Sequence, residues 1–467
     1  TARKQTGSFY TPREIVNYMV DESIIAYLGT SLDSITPPPS APHLKIRGGR
    51  GSYDERLRRL VAYNDQPHEF TNAEVDILIA AINTLKALDP ACGSGAFPMG
   101  MLHKLVYILG KLDPDNSKWR ELQRQKAIKE TEEAYKNDDK GEREKRLLDI
   151  SEVFENNASD YGRKLYLIEN CIFGVDIQPI AVQIAKLRFF VSLIVDQRID
   201  PKKENLGVRP LPNLETKFVA ANTLIGIDKP AQMLLRNPGI DKKEEELKKV
   251  RERHFTARTP QTKEKYRKAD EKLRAEISEL LKKDGFPSET TEKLAKWNPY
   301  DQNAHADFFD SEWMFGISDG FDVVIGNPPY LESRHASFSE TLKETYQSEV
   351  KKRWHSLSAN ITKGADLLIY FFESAISFIN NSGIITYITQ NSWLNSDYGK
   401  KFQLFLLKTT NVHAIIDSDF KYFDSKEGPN INTVISIFIG NKVKPGSKVM
   451  FARYHDDFQG IPFSFRE

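Results

Sequence analysis

Four short apolar runs along the chain each end in a polar turn: Thr84–Asp89, Asn170–Asp176, Lys217–Asn222 and Phe321–Gly326. Runs of roughly four to eight apolar residues bounded by turn signals predict buried strands. Behind two of these runs the period changes to that of a helix. Phe97, Met101, Leu102, Leu105 and Ile108 recur at helical spacing after the first, and Ile180, Ile184, Leu187 and Val191 after the second. Further along, Ala365–Ile379 reads as a helix, and Gly383–Thr389, Asn411–Asp417 and Asn432–Ile439 read as strands. Strands alternating with helices predict an α/β fold around a mostly parallel sheet.

Two stretches interrupt this rhythm, and both are dense in alternating charge. From Asp113 to about Glu155 the chain is polar, with apolar punctuation at Trp119, Leu122, Tyr135, Leu147 and Phe154. From Asp241 to about Trp297 it runs through Lys and Glu, with Leu273, Ile277 and Leu280 at helical spacing and a turn expected at Thr259-Pro260. Both predict helical hairpins projecting from the core, and the mixture of signs predicts solvated, salt-bridged faces. Pro37-Pro38-Pro39 and Gly48-Gly49-Arg50-Gly51 mark a loop between an N-terminal helix and the first strand. The expected division is an N-terminal helical segment (1–83), a first part of the core (84–228, with a helical insertion at about 113–160), a charged hairpin (229–300) and a second part of the core (301–467).

Composition narrows the class. At about 150 residues per domain, 467 residues predict about three units, or one large domain with insertions. The 40% apolar and 28% charged content is that of a globular chain and excludes wholesale disorder. Sixty-six Lys and Arg against 65 Asp and Glu leave a net charge of +1, so any nucleic-acid face must be local or supplied by another segment. Cys92 and Cys171 form no Cys-x-x-Cys pair, which argues against a disulfide framework and for a reducing cytoplasm. The nine histidines show no zinc-like spacing, so no metal site is expected. The longest apolar stretches, such as Ile369–Ile379, fall short of the roughly 20 residues that cross a bilayer. With Thr at position 1 and no signal region behind it, the chain reads as a fragment of a longer protein.

The candidate chemistry sits where the strands end. Leu88-Asp89-Pro90-Ala91-Cys92-Gly93-Ser94-Gly95 follows a strand and opens a helix. Gly93 and Gly95 let backbone approach a ligand, the helix N-terminus favours a carboxylate, and Asp89 suits an ammonium, a pair of demands that fits an amino-acid moiety. There is no Gly-Lys-Ser/Thr, so this is not a triphosphate loop, nor is it Gly-x-Gly-x-x-Gly. Asp176, ending Gly174-Val175-Asp176-Ile177, stands where doubly wound folds receive ribose hydroxyls, and equally where it would cap the next helix. Asn222 suits a purine amino group or a turn. Phe321-Asp322-Val323-Val324-Ile325-Gly326-Asn327-Pro328-Pro329-Tyr330 delivers an amide, two prolines and an aromatic into a stiff loop. The Asn327 side-chain oxygen and the Pro328 carbonyl can accept both hydrogens of a planar amino group, with Tyr330 stacked on the attached ring.

The order Gly7-Ser8-Phe9-Tyr10-Thr11-Pro12, Asp89-Pro90-Ala91-Cys92-Gly93-Ser94-Gly95, Asp176, Asn327-Pro328-Pro329-Tyr330 resembles the gamma class of N6-adenine DNA methyltransferases. It looks most like the methyltransferase module of type IIG restriction-modification enzymes and related phage-exclusion proteins. The resemblance implies a Rossmann-like fold with a seven-stranded sheet, its last strand antiparallel, and S-adenosylmethionine across the carboxyl ends of the first strands. It implies that Tyr10, Thr11 and Pro12 stand at the cofactor's methionine end with Asp89, Pro90, Ala91, Cys92, Gly93 and Gly95. By the same likeness Asp176 takes the ribose, Ile177 and Phe371 cover the cofactor adenine, and Asn222 pairs with its amino group, although Asp is common at that position. Asn327, Pro328, Pro329 and Tyr330 would hold a base flipped out of double-stranded DNA, with Phe423 as a second aromatic against it. A target-recognition domain is expected beyond Glu467, and any nuclease before Thr1. Glu246-x-Lys248, superficially like a nuclease fragment, lies in a helical charge run and reads as a solvated face. RNA amino groups, protein glutamine and a catalytically idle DNA-binding module are the alternatives.

Overall fold

Successive residues along the strands enter different cores, as the two-residue period of a pleated strand requires. Ala87, Ile172, Val323, Ile325, Ile384 and Ile388 join one buried cluster, while Leu88, Phe173, Val175, Val324, Ile385 and Tyr387 join the other. Both faces of the sheet are therefore covered, which is why these strands read as continuous apolar runs. The computed structural model describes residues 10–35, 53–134, 147–148, 150–154, 159–202, 204–230, 237–362, 364–418, 432–440 and 449–454.

The strands are β1 (Ala87–Asp89), β2 (Ile172–Asp176), β3 (Phe218–Ala220), β4 (Phe321–Gly326), β5 (Ile379–Gln390), β6 (Asn411–Ser418), β7 (Thr433–Ile439) and β8 (Met450–Tyr454). Their order in the sheet is β3-β2-β1-β4-β5-β7-β6-β8. β1 through β5 are parallel, and β7 runs antiparallel to both β5 and β6. The seven expected strands are all present. The eighth, β8, pairs parallel with β6 beyond them, a pairing the apolar pattern did not signal.

One face is covered by α1 (Arg13–Ile35), α2 (Asn72–Thr84), α3 (Ala96–Leu112), α4 (Ser159–Asn170) and α5 (Pro179–Ile194). On α5 the buried apolar side chains are Val182, Ala185, Phe189 and Leu193. The stripe that marked this helix in the sequence, Ile180, Ile184, Leu187 and Val191, is exposed on the opposite side, as are Ile177 and Ile194. A helix with apolar residues on more than one side leaves the pattern unable to choose its inner face, and Ala185 packs inward close to Gly95.

The other face carries α6 (Pro238–Phe255), α7 (Pro260–Lys283) and α8 (Leu367–Phe378). Thr259 caps α7, its side chain accepting from the Thr262 N–H, so the turn falls at Thr259-Pro260 as the sequence predicts. The α6–α7 hairpin is seated rather than projecting. Leu247, Leu273, Ile277 and Leu281 belong to the same cluster as Leu88 and Val324, and a buried Arg251–Asp270–Arg274 group ties the two helices together (2.8 and 2.6 Å). Glu246 and Lys248 lie on the exposed side of α6. Among the described residues no helix is long and apolar enough to cross a membrane, and no group of three metal-ligating side chains occurs.

Candidate active site

The parallel strands β1, β2 and β4 bring their carboxyl ends to one edge, so three motifs more than 80 residues apart in sequence meet there. The turn after β1 is built on two left-handed residues, Gly93 (φ 52°) and Gly95 (φ 81°). Only glycine takes this conformation without strain. A Cβ on Gly95 would also stand 3.1 Å from that of Ala185, whereas one on Gly93 would meet open space. The turn is thus packed on its helix side and open at Gly93, as a backbone cradle for a ligand requires.

Asp176 closes this cradle. Its carboxylate accepts from the Gly93 N–H (2.9 Å) and the Gln178 N–H (2.8 Å), joining the ends of β1 and β2 and ordering the entrance to α5. Of the two roles weighed for it in the sequence, these bonds bear on the one at the entrance to α5. Each oxygen keeps a further lone pair. Burial raises the Asp176 carboxyl, against the lowering effect of those two N–H donors. Asp89 is buried, accepts from the Ala91 N–H (3.1 Å), and is pushed well up by burial and then by Asp176. A buried carboxyl in this state gains most from a cation brought to it. Pro90 and Cys92 are buried beneath the turn; the Pro90 carbonyl accepts from the Thr223 hydroxyl (2.8 Å).

β4 delivers Asn327 into the same edge. The preceding Gly326 is required by space, because a Cβ there would stand 2.7 Å from Asp89 Oδ1. Asn327 Nδ2 donates to the Thr11 hydroxyl (3.1 Å), and Thr11 is itself buried. The Asn327 side-chain oxygen is buried with no hydrogen-bond partner among the described residues. Such an acceptor is costly to leave unpaired. Tyr330 is buried, and Pro329 is half-buried between them.

A family model described as Eco57I restriction-modification methylase matches residues 170–423, from the approach to β2 through β6. The chain belongs to the Eco57I restriction-modification methylase family. Curated proteins similar to the chain include the type II restriction enzyme and methyltransferase RM.Eco57I of Escherichia coli, 30% identical over 96 residues (21% of this chain, 9% of the relative). The type II methyltransferase M.BstVI of Geobacillus stearothermophilus is 28% identical over 97 residues, 21% of this chain and 16% of the relative. The chain thus matches only a small part of these relatives' lengths. The solved type IIL restriction-modification enzyme MmeI in complex with DNA aligns over 98% of this chain and 40% of its own, at 12% identity and a TM-score of 0.44.

In this Eco57I-family methylase the remaining sequence-predicted residues are spread over several settings. Tyr10 and Ile177 are exposed (68% and 53%) at the ends of segments whose neighbours reach the site. Pro12 is half-buried and its carbonyl starts α1 by accepting from the Val16 N–H. Asn222 is a turn residue, its oxygen accepting from the Leu224 N–H (3.1 Å) and its amide reaching the Tyr346 hydroxyl (3.5 Å). Phe371 is buried in α8, within the second core cluster. Phe423 lies outside the described residues.

One positioning residue went unassigned in the sequence. Asp366, directly before α8, accepts from the Ser333 N–H (2.9 Å) and the Tyr398 hydroxyl (2.5 Å), while the Leu367 N–H donates to the Leu331 carbonyl (3.0 Å). These bonds stitch the loop after Tyr330 to the helix that carries Phe371. An Asp ahead of an apolar helix is the available signal, but it suggests a local cap, and this carboxylate instead reaches back 33 residues.

Proposed function

We propose that this Eco57I-family methylase transfers a methyl group from S-adenosylmethionine to adenine N6 in double-stranded DNA, as the modification activity of a restriction-modification or phage-defence protein. The observation that carries the reading is the Asn327 amide: its nitrogen is occupied by Thr11, and its buried oxygen is left as an acceptor without a donor. A planar amino group supplies that donor. The residues present fit the cofactor: an open Gly93 backbone, a buried Asp89 carboxyl for an ammonium, and an Asp176 with lone pairs to spare. When bound, S-adenosylmethionine supplies an electrophilic methyl group on a sulfonium.

Adenine N6 is hidden in a duplex, so the base must be extruded into the pocket and held by stacking and hydrogen bonds. Tyr330 stacks on it. Asn327 Oδ1 and the Pro328 carbonyl accept its two amino hydrogens and draw the nitrogen lone pair out of the ring, so that it becomes nucleophilic where it must attack. The two prolines hold these acceptors rigid, which is a positioning contribution to rate. No strong base is needed before attack, because the amino proton is lost after the nitrogen becomes cationic.

A base-modification map of DNA from cells expressing the parent protein tests the reading, with Asn327→Ala as control. The expected result is N6-methyladenine at one recurring sequence, absent in the control, with S-adenosylmethionine affinity of the variant within about three-fold of wild type. Unmodified DNA from an expressed, cofactor-binding parent would move the assignment to RNA amino groups or protein glutamine. Loss of cofactor binding in the wild type would leave a non-catalytic DNA-binding module.

A further inference from the structure

Tyr387 lies on β5 directly across from Gly326 at the end of β4. Its ring packs edge-on against Phe372, with centroids 5.2 Å apart, and the side chain has no solvent exposure. Its hydroxyl oxygen is buried and has no hydrogen-bond partner among the described residues. A phenylalanine would fill the same space without an unpaired polar atom, so the hydroxyl costs stability in this state.

What lies beside the ring gives the hydroxyl a use. The point at which a Gly326 side chain would begin is 3.7 Å from Tyr387 Cε1 and 2.7 Å from Asp89 Oδ1. The missing side chain therefore lets the Asp89 carboxyl and the edge of the phenol ring both approach the end of β4 closely. Asp89 is also the charged group that bears on the phenol, adding to the effect of burial in holding its proton in place. Tyr387 has no solvent exposure, so it can act on a ligand only through a neighbouring group.

We propose that Tyr387 is a positioning residue that acts through Asp89, its hydroxyl donating to the Asp89 carboxylate when a ligand ammonium engages that carboxylate. The inference rests on the S-adenosylmethionine reading above. Without a ligand, burial disfavours the charged carboxylate, and the Ala91 N–H is the donor it holds. An ammonium ionises it, and an ionised carboxylate in a buried site requires more than one donor. The Tyr387 hydroxyl supplies the second from the side away from the ligand, keeping its own proton while fixing the carboxylate's orientation.

The test compares wild type and Tyr387→Phe, by calorimetric titration, for two ligands. S-adenosylhomocysteine carries the amino-acid end, and 5′-methylthioadenosine lacks it. Tyr387→Phe is expected to weaken S-adenosylhomocysteine roughly ten-fold, the scale of one charge-assisted hydrogen bond. It should leave 5′-methylthioadenosine within about two-fold, and the ligand-free melting temperature unchanged or higher. Equal weakening of both ligands would mean general disruption of the pocket, and no weakening of either would mean a packing role alone; each overturns the proposal. Failure of the wild type to bind S-adenosylhomocysteine would instead overturn the reading on which it rests.

Discussion

At the scale of single residues, the site depends on contacts between positions that are remote in sequence. Thr11 and Asn327 stand 316 residues apart, yet one hydrogen bond between them fixes the amide nitrogen and leaves its oxygen without a partner among the described residues. Thr11→Val removes the acceptor while keeping the shape of the side chain, so the amide loses its fixed orientation. We expect kcat to fall at least about ten-fold with cofactor affinity nearly unchanged, and Thr11→Ser to restore it, in single-turnover methylation assays. The sequence marks Asn327 through its neighbours: an apolar strand before it and two prolines after it. It marks Thr11 only through a family likeness, because a hydroxyl near the start of a helix has local explanations that need no partner.

Among elements, the helices show where pattern succeeds and where it stops. The Thr259-Pro260 turn is legible because a capping hydroxyl and a proline at the first helical position are local chemistry. The seating of the α6–α7 hairpin is not, since its charges read as solvated until their partners are known. Asp270 is fully buried, and although burial alone would raise its carboxyl, Arg251 and Arg274 override this and hold it below the usual range. Its contribution to stability is therefore complete above the ordinary carboxylate range and is lost as pH falls through its lower folded value, below about pH 4. Asp270→Ala leaves two buried guanidinium groups without their carboxylate. Denaturant titration at neutral pH should show a loss of about 3–5 kcal/mol, and the gap between variant and wild type should narrow on acidification. The exposed Ile180, Ile184, Leu187 and Val191 face of α5 shows the opposite failure, since a hydrophobic stripe names a helix without naming its inner side.

Over the whole molecule, the proposed cofactor site would link ligand binding to the integrity of the sheet edge through one hydrogen-bonded carboxylate. Asp176 joins the β1 turn to the start of α5, so a ligand held there stabilises the fold by mass action. S-adenosylmethionine at a hundred times its dissociation constant should raise stability by about 2.7 kcal/mol, read as a shift in melting temperature. Asp176→Ala should abolish most of that shift at the same concentration, and retention of the full shift would place the ligand elsewhere. By itself the sequence determined the α/β class, seven of the eight strands, the two glycines of the β1 turn and the identity of Asp89, Asp176 and Asn327 as candidates. Each of these depends on periodicity or on the conformational limits of a few adjacent residues, and such local terms are written in chain order. The tertiary structure decided the partner-dependent facts: the pairing of β8 on β6, the buried face of α5, the seating of the charged hairpin, the reach of Asp366 and the orientation of the Asn327 amide. These follow from which surfaces exclude water together and which donors find acceptors across the fold, and no stretch of sequence contains both members of such a pair.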